Sequence, residues 1–194
     1  MAQIKSTLEL VMERADRLAA DVADTPEQYD KELTGVRLAA AFLNDQSTPL
    51  SQTLKEHPAA DQMQIRKGMA TTLLRNIVLP RDGEISSRSL LSLRNLPELA
   101  GKSRDISAIC KEIKQILEQY RKHLDQVKEQ FDQSILQQLK MQLQQQGLAV
   151  ADELSLNPAM HPQYQEEWSR VLTDLNSQYE EALEQRKNQI AQRF

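Results

Sequence analysis

The chain has 194 residues, 40% of them hydrophobic, and carries a formal net charge of -4. That is enough apolar material for one generous domain or two small ones, while 4% aromatics, 5 Gly and 7 Pro disfavour an all-β architecture of short strands and turns. The charge alternates along the chain: residues 1–60 hold 6 basic and 10 acidic side chains, residues 61–124 hold 12 and 7, and residues 125–194 hold 6 and 11.

Ile4, Leu8, Val11, Ala15, Leu18 and Val22 recur at steps of four and three, the spacing of one buried helical face. The same stretch mixes charges into every turn, so no secretory signal is expected there, and nothing in the chain approaches the roughly 20 apolar residues that span a bilayer. Next, "DTPEQ" supplies Thr25 as an N-cap, Pro26 at the first helical position and Gln28 as a capping-box partner. The helix that follows buries Tyr29, Leu33, Val36, Ala40 and Leu43, and is widened by Leu38, Ala39 and Phe42, as expected of a central element in a small bundle.

Two further proline starts, at Pro49 and Pro58, mark a short helix and a longer one. The longer one carries Met63, Met69, Leu73 and Ile77 and is expected to stop near Leu79, because Pro80 disfavours the α conformation before it. "PRDGE" is a turn with Gly83 free to take positive φ; a short hairpin of "IVLP" and "EIS" is the alternative to the helical reading. "SLLSLRNLPELAG" is apolar but bounded by Pro97 and Gly101, which suggests a connector of one or two helical turns.

Residues 104–146 then run without proline or glycine. Ser103 or Asp105 caps this helix, and Ile106, Cys110, Ile113, Leu117, Tyr120, Leu124, Val127 and Phe131 form a heptad seam along it. At about 1.5 Å per residue it extends roughly 65 Å, more than a small domain's diameter. Past Phe131 the apolar steps become fours (Ile135, Leu139, Leu143), which rotates the seam as a stutter does, and Gly147 ends the helix. After a connector holding Pro158 and Pro162, Tyr164, Trp168, Val171, Leu175, Tyr179, Ala182 and Ile190 mark a final helix with Glu166 and Glu167 in its first turn. The expected fold is all-α: a bundle of short helices over residues 1–100, then a long antiparallel, coiled-coil-like helical hairpin over residues 101–194.

Chemistry-bearing motifs are sparse. No Glu-x-x-His or His-Glu-x-x-His pattern offers a metal site, the five glycines are scattered rather than clustered into a phosphate loop, and the lone Cys110 lies on the seam as core filler. Cys110 and His123 stand thirteen residues apart on one helix, roughly 20 Å, too far to act as nucleophile and base. His161 reads as a solvated loop histidine and Trp168 as an anchor of the hairpin. Neither catalytic residues nor cofactors are expected. A single cysteine gives no sign of an oxidising compartment, so the chain reads as cytoplasmic.

The opening "IKSTLELVMER" resembles the start of small uncharacterised bacterial helical proteins. The resemblance covers eleven residues, implies a bacterial origin and carries over no activity. Long helical hairpins also occur in prefoldin-like chaperones, ribosome recycling factors and synthetase arms, a likeness of shape alone.

Two functions fit these features. The first is a non-enzymatic interaction or adaptor protein that binds a protein partner or itself through the seam at Ile106, Ile113, Leu117, Leu124, Val127 and Phe131; the same residues equally suit an intrachain core. The alternative is an RNA- or ribosome-associated factor using the basic block, represented by Arg66, Lys67, Arg75, Arg81, Arg88, Arg94 and Arg104. Against it stand a sequence pI near 5.5 and the lack of an aromatic platform for stacking bases.

Overall fold

Two glycines set the first helix pair. The computed structural model describes residues 25–45, 48–81, 83–145 and 157–194, and in it α1 (Thr25–Asp45) crosses α3 (Gln62–Arg75) with the two backbones in direct contact. A Cβ at Gly35 would overlap the carbonyl oxygen of Ile65, and one at Gly68 would overlap that of Glu32. Only glycine permits so close an approach. Lys31 with Asp61 at 2.8 Å and Lys67 with Glu32 at 2.5 Å flank the crossing as part-exposed ion pairs, which contribute little by themselves. Ala39, Leu43, Ile65, Met69 and Leu73 are buried around it.

The short α2 (Leu50–Lys55) plugs Leu50 and Leu54 into the same core. The third helix ends at Arg75 rather than near Leu79. Asn76 stops it: its Nδ2 donates to the Thr72 carbonyl at 2.8 Å, the local side-chain competition by which asparagine ends helices. Residues 77–80 then run without regular secondary structure, with Ile77, Leu79 and Pro80 buried and Val78 turned out at 45% exposure. Gly83 follows with φ 77°, as the turn chemistry anticipates.

The fourth helix, α4 (Ser87–Leu99), is a full 13-residue element with Pro97 inside it, not a one- or two-turn connector. Its start is capped by Ser86, whose Oγ accepts from the Ser89 N–H at 3.1 Å. Pro97 falls in the last turn, where its ring disturbs only the preceding turn, and the helix closes in a Schellman motif. Lys102 N–H donates to the Pro97 carbonyl at 2.7 Å and Gly101 N–H to that of Glu98 at 3.1 Å, with Gly101 at φ 67°.

The long α5 (Arg104–Gln145) has 42 residues and α6 (Tyr164–Ala191) has 28. They contact each other as an antiparallel pair, bridged from Glu112 with Arg186 (2.8 Å) through Tyr120 with Asn176 (2.7 Å) to Asp132 with Tyr164 (2.6 Å). The root of this hairpin packs on the short helices, α4 against α5 and α3 against α6. The main core takes α5 residues only from Ile106 to Tyr120, with Leu124 against it. The remaining 21 residues of α5 extend about 30 Å beyond it; α6 begins beside them at Tyr164, opposite Asp132, and a 3-10 turn at Pro158–Met160 touches both helices. Ile135 is buried in this distal part. Among the described residues the protein is all-α, six helices, and no helix is long and apolar enough to cross a membrane. The helix read over residues 4–22 and the cap at Gly147 lie outside the described residues.

Several single expectations are corrected by the packing. Tyr29 and Met63, read as core-facing, are 64% and 63% exposed, and Ala40 is exposed while Ala39 is buried, because the glycine crossing fixes which face of α1 and α3 turns inward. His161 is buried, not solvated; its Nδ1 accepts from the Gln163 N–H at 3.3 Å, in the turn that leads into α6.

Candidate functional site

Ser89 builds one wall of the site. It is fully buried on α4, donates to the Asn76 carbonyl at 2.9 Å and accepts from the Val78 N–H at 3.3 Å. One hydroxyl thereby pins the irregular segment 77–80, a strap laid across the hairpin root. The other wall is the hairpin. Between them lies an open groove of about 700 Å³ lined by Val78, Leu79 and Pro80 of the strap, Leu124 of α5 and Trp168 and Leu172 of α6. Polar groups also reach it: Arg81, Tyr120, Asp125, Lys128, Asn176 and Glu180.

Where the groove meets the distal hairpin, Lys128 donates to both Asp132 oxygens at 2.8 and 2.9 Å and to the Tyr164 hydroxyl, which donates in turn to Asp132. The ammonium lies 5.1 Å from the ring centres of Tyr164 and Trp168, within cation–π reach. Phe131 closes the cluster, 5.1 Å from Tyr164 and 5.4 Å from Trp168. Burial opposes ionisation of Asp132, but the hydrogen bonds from Lys128 and Tyr164 and the Lys128 charge outweigh it and hold the carboxyl below its usual range. Lys128 is likewise raised, its partial burial overcome by the bonds to Asp132 and Tyr164.

At the other end Tyr120 donates to Asn176 at 2.7 Å and packs edge-on against Tyr179 at 5.3 Å. Its phenol is pushed up by burial and then by the Glu180 charge. Asp125 and Glu180 are exposed, and neither they nor Arg81 form an ion pair or side-chain hydrogen bond among the described residues.

The seam residues divide at this groove. Ile106, Ile113 and Leu117 are buried by the chain's own helices; Leu124, Val127 and Phe131 are half-buried, Leu124 on the groove wall. Trp168 is half-buried, packed on Phe131 and facing the groove. Burial pushes the Cys110 thiol up to about 12, which makes it inert as a nucleophile.

The basic residues do not converge on one cavity. Arg66 lies in a hollow with Asp105, Arg193 and Phe194, Arg75 in another with Glu184 and Lys187, and Arg81 on the groove. Lys67 is paired with Glu32, Arg88 donates to Asn44 at 3.0 Å, and Arg94 and Arg104 are exposed. Sequence reasoning missed the strap, Leu172, Asn176 and Asp132. The Ser-Ser-x-Ser run from Ser86 to Ser89 was the one signal pointing to a cap and a buried hydroxyl there.

The model of a family described as of unknown function, DUF6657, matches residues 51–192, and the chain belongs to that family. The match takes in the strap and both helices of the groove. No curated protein and no solved structure matches the chain.

Proposed function

We propose that this member of DUF6657 is a non-enzymatic helical interaction or adaptor protein, and that it engages a protein partner at the groove between strap and hairpin. The observation that carries this reading is the division of the seam. Its first half is buried in the chain's own core, while Leu124 continues into an open groove where Val78, Trp168 and Leu172 stand beside Arg81, Asp125, Asn176 and Glu180. An apolar concavity with a few directed polar groups is the usual form of a binding site, and Trp and Tyr at its edge are the residue types that dominate interface energetics.

The experiment is affinity capture from a bacterial lysate with the wild-type chain and with Leu172→Arg, after circular dichroism and urea midpoints establish that the variant is folded. A protein retained by the wild type and lost from the variant is the expected result. An identical set of captured proteins with both baits would refute the groove as the contact. The RNA- or ribosome-associated alternative predicts binding that weakens steeply with salt; the dispersal of the arginines over separate hollows lends it no support.

A further inference from the structure

We propose that the hollow between α3, the start of α5 and the residues that follow α6 is a binding site for a phosphate-type oxyanion. It lies apart from the groove and does not depend on the docking reading.

Arg66 carries the argument. It lines the hollow together with Ser103 and Asp105 at the start of α5 and Arg193 and Phe194 past α6. It stands between Ile65 and Gly68, so the close crossing of α1 and α3 fixes the stretch of helix that presents it. Its Nε is buried without a hydrogen-bond partner, and its guanidinium pairs with neither Asp105 nor the carboxyl group of Phe194 among the described residues. A buried donor left without an acceptor is destabilising, and such an atom marks a place where a water or an ion completes the structure.

Other donors around the hollow are equally unspent. Arg193 donates only to the Gln189 carbonyl one turn back on its own helix, which leaves the rest of its fork free. The long α5 begins here without a side-chain cap: Ser103 and Asp105, the two residues placed to provide one, accept from no first-turn N–H among the described residues. Those N–H groups have no partner within the helix either.

The charges select the ligand. Arg66 and Arg193 face one lining carboxylate, that of Asp105, and Lys102 and Arg104 are exposed on either side of Ser103, so the potential at the mouth is positive. A carboxylate is satisfied by one guanidinium edge. Donors on three separate parts of the chain suit the several oxygens and the nearly double charge of a phosphate group. Bound there, the anion ties α3 to both helices of the hairpin at the root where they pack together.

The test is isothermal titration of inorganic phosphate into the full chain at fixed ionic strength, with acetate as the carboxylate comparison. The expected result is saturable one-to-one phosphate binding, weakened about tenfold in Arg66→Met and in Arg193→Met and tightened about threefold in Asp105→Asn, which removes the repelling carboxylate. Phosphate should also raise the urea midpoint of the wild type more than that of Arg66→Met. Circular dichroism establishes that each variant is folded, and Arg193→Met, at an exposed position, tests the site should Arg66→Met fail to fold. Phosphate binding unchanged in the arginine variants would put the anion elsewhere and overturn the site. Acetate bound as tightly as phosphate overturns the phosphate assignment, and absence of saturable phosphate binding overturns the proposal as a whole.

Discussion

Replacing Gly68 by alanine sets two effects of opposite sign against each other. In an isolated helix the change stabilises by up to about 1 kcal/mol, because glycine is the poorer helix former. In this fold the new methyl would overlap the Glu32 carbonyl oxygen and stand 2.9 Å from its carbonyl carbon, whereas carbon–oxygen contacts ordinarily begin near about 3.3 Å. The obstacle is backbone, so α1 and α3 must part by about 1 Å. A gap of that size forfeits roughly a quarter to a half of the dispersion energy across the contact, and overpacking of this kind typically costs about 1–3 kcal/mol. The net expectation is a loss of about 1–2 kcal/mol. With a urea slope of about 2 kcal/mol/M for a chain of this size, the midpoint falls by about 0.5–1 M with the slope unchanged. Gly35→Ala should behave alike, and the double variant should cost less than the two singles together, since one separation of the helices relieves both clashes. A midpoint that rises in Gly68→Ala would refute the close crossing.

Two serines on α4 should respond in opposite directions. Ser89→Ala leaves the Asn76 carbonyl and Val78 N–H without their partner and should cost about 1–3 kcal/mol, whereas the buried Ser92 hydroxyl has no partner among the described residues, so Ser92→Ala should be neutral or stabilising in the same urea titration. The depressed Asp132 carboxyl contributes stability above the ordinary carboxylate range and loses it as pH falls below about 4; comparison of urea midpoints at neutral and acid pH should show a shallower acid loss in Asp132→Asn. Cys110, its thiol pushed up to about 12 by burial, should react with a disulfide reagent only at the rate of unfolding. Labelling as fast in buffer as in denaturant would show that it is accessible. Below its ordinary range near about 8.5 the buried thiol leaves stability undiminished, and the loss that sets in as pH rises towards about 12 should be absent in Cys110→Ala.

The long helices were legible because periodicity is a local property. Steps of three and four from Ile106 to Phe131 put one stripe on one face wherever the helix goes, and the second stripe from Tyr164 to Ile190 made an antiparallel partner the economical arrangement. The glycine after α4 likewise acts over a few residues, whereas the proline starts read at Pro49 and Pro58 fall outside the helices: Pro49 is the N-cap of α2 and Pro58 stands in a turn four residues before α3 begins at Gln62. Helix ends were less legible where two local signals competed: Asn76 ended α3 before Pro80 could, and Pro97, read as a boundary, is accommodated inside the last turn of α4.

What only the tertiary structure decided is which faces meet. Gly35 and Gly68 are thirty-three residues apart, and nothing in either neighbourhood announces that each rests on the other helix's backbone. The groove is the same kind of feature. Its walls come from a strap held by one buried serine and from two helices that pair at long range, so Val78, Leu124, Trp168 and Leu172 share no spacing that a sequence pattern could register. The seam itself could be read from the chain, but not its division into a consumed half and an open half. That division depends on how far the short helices reach along α5, a distance set by packing rather than by any residue of the seam.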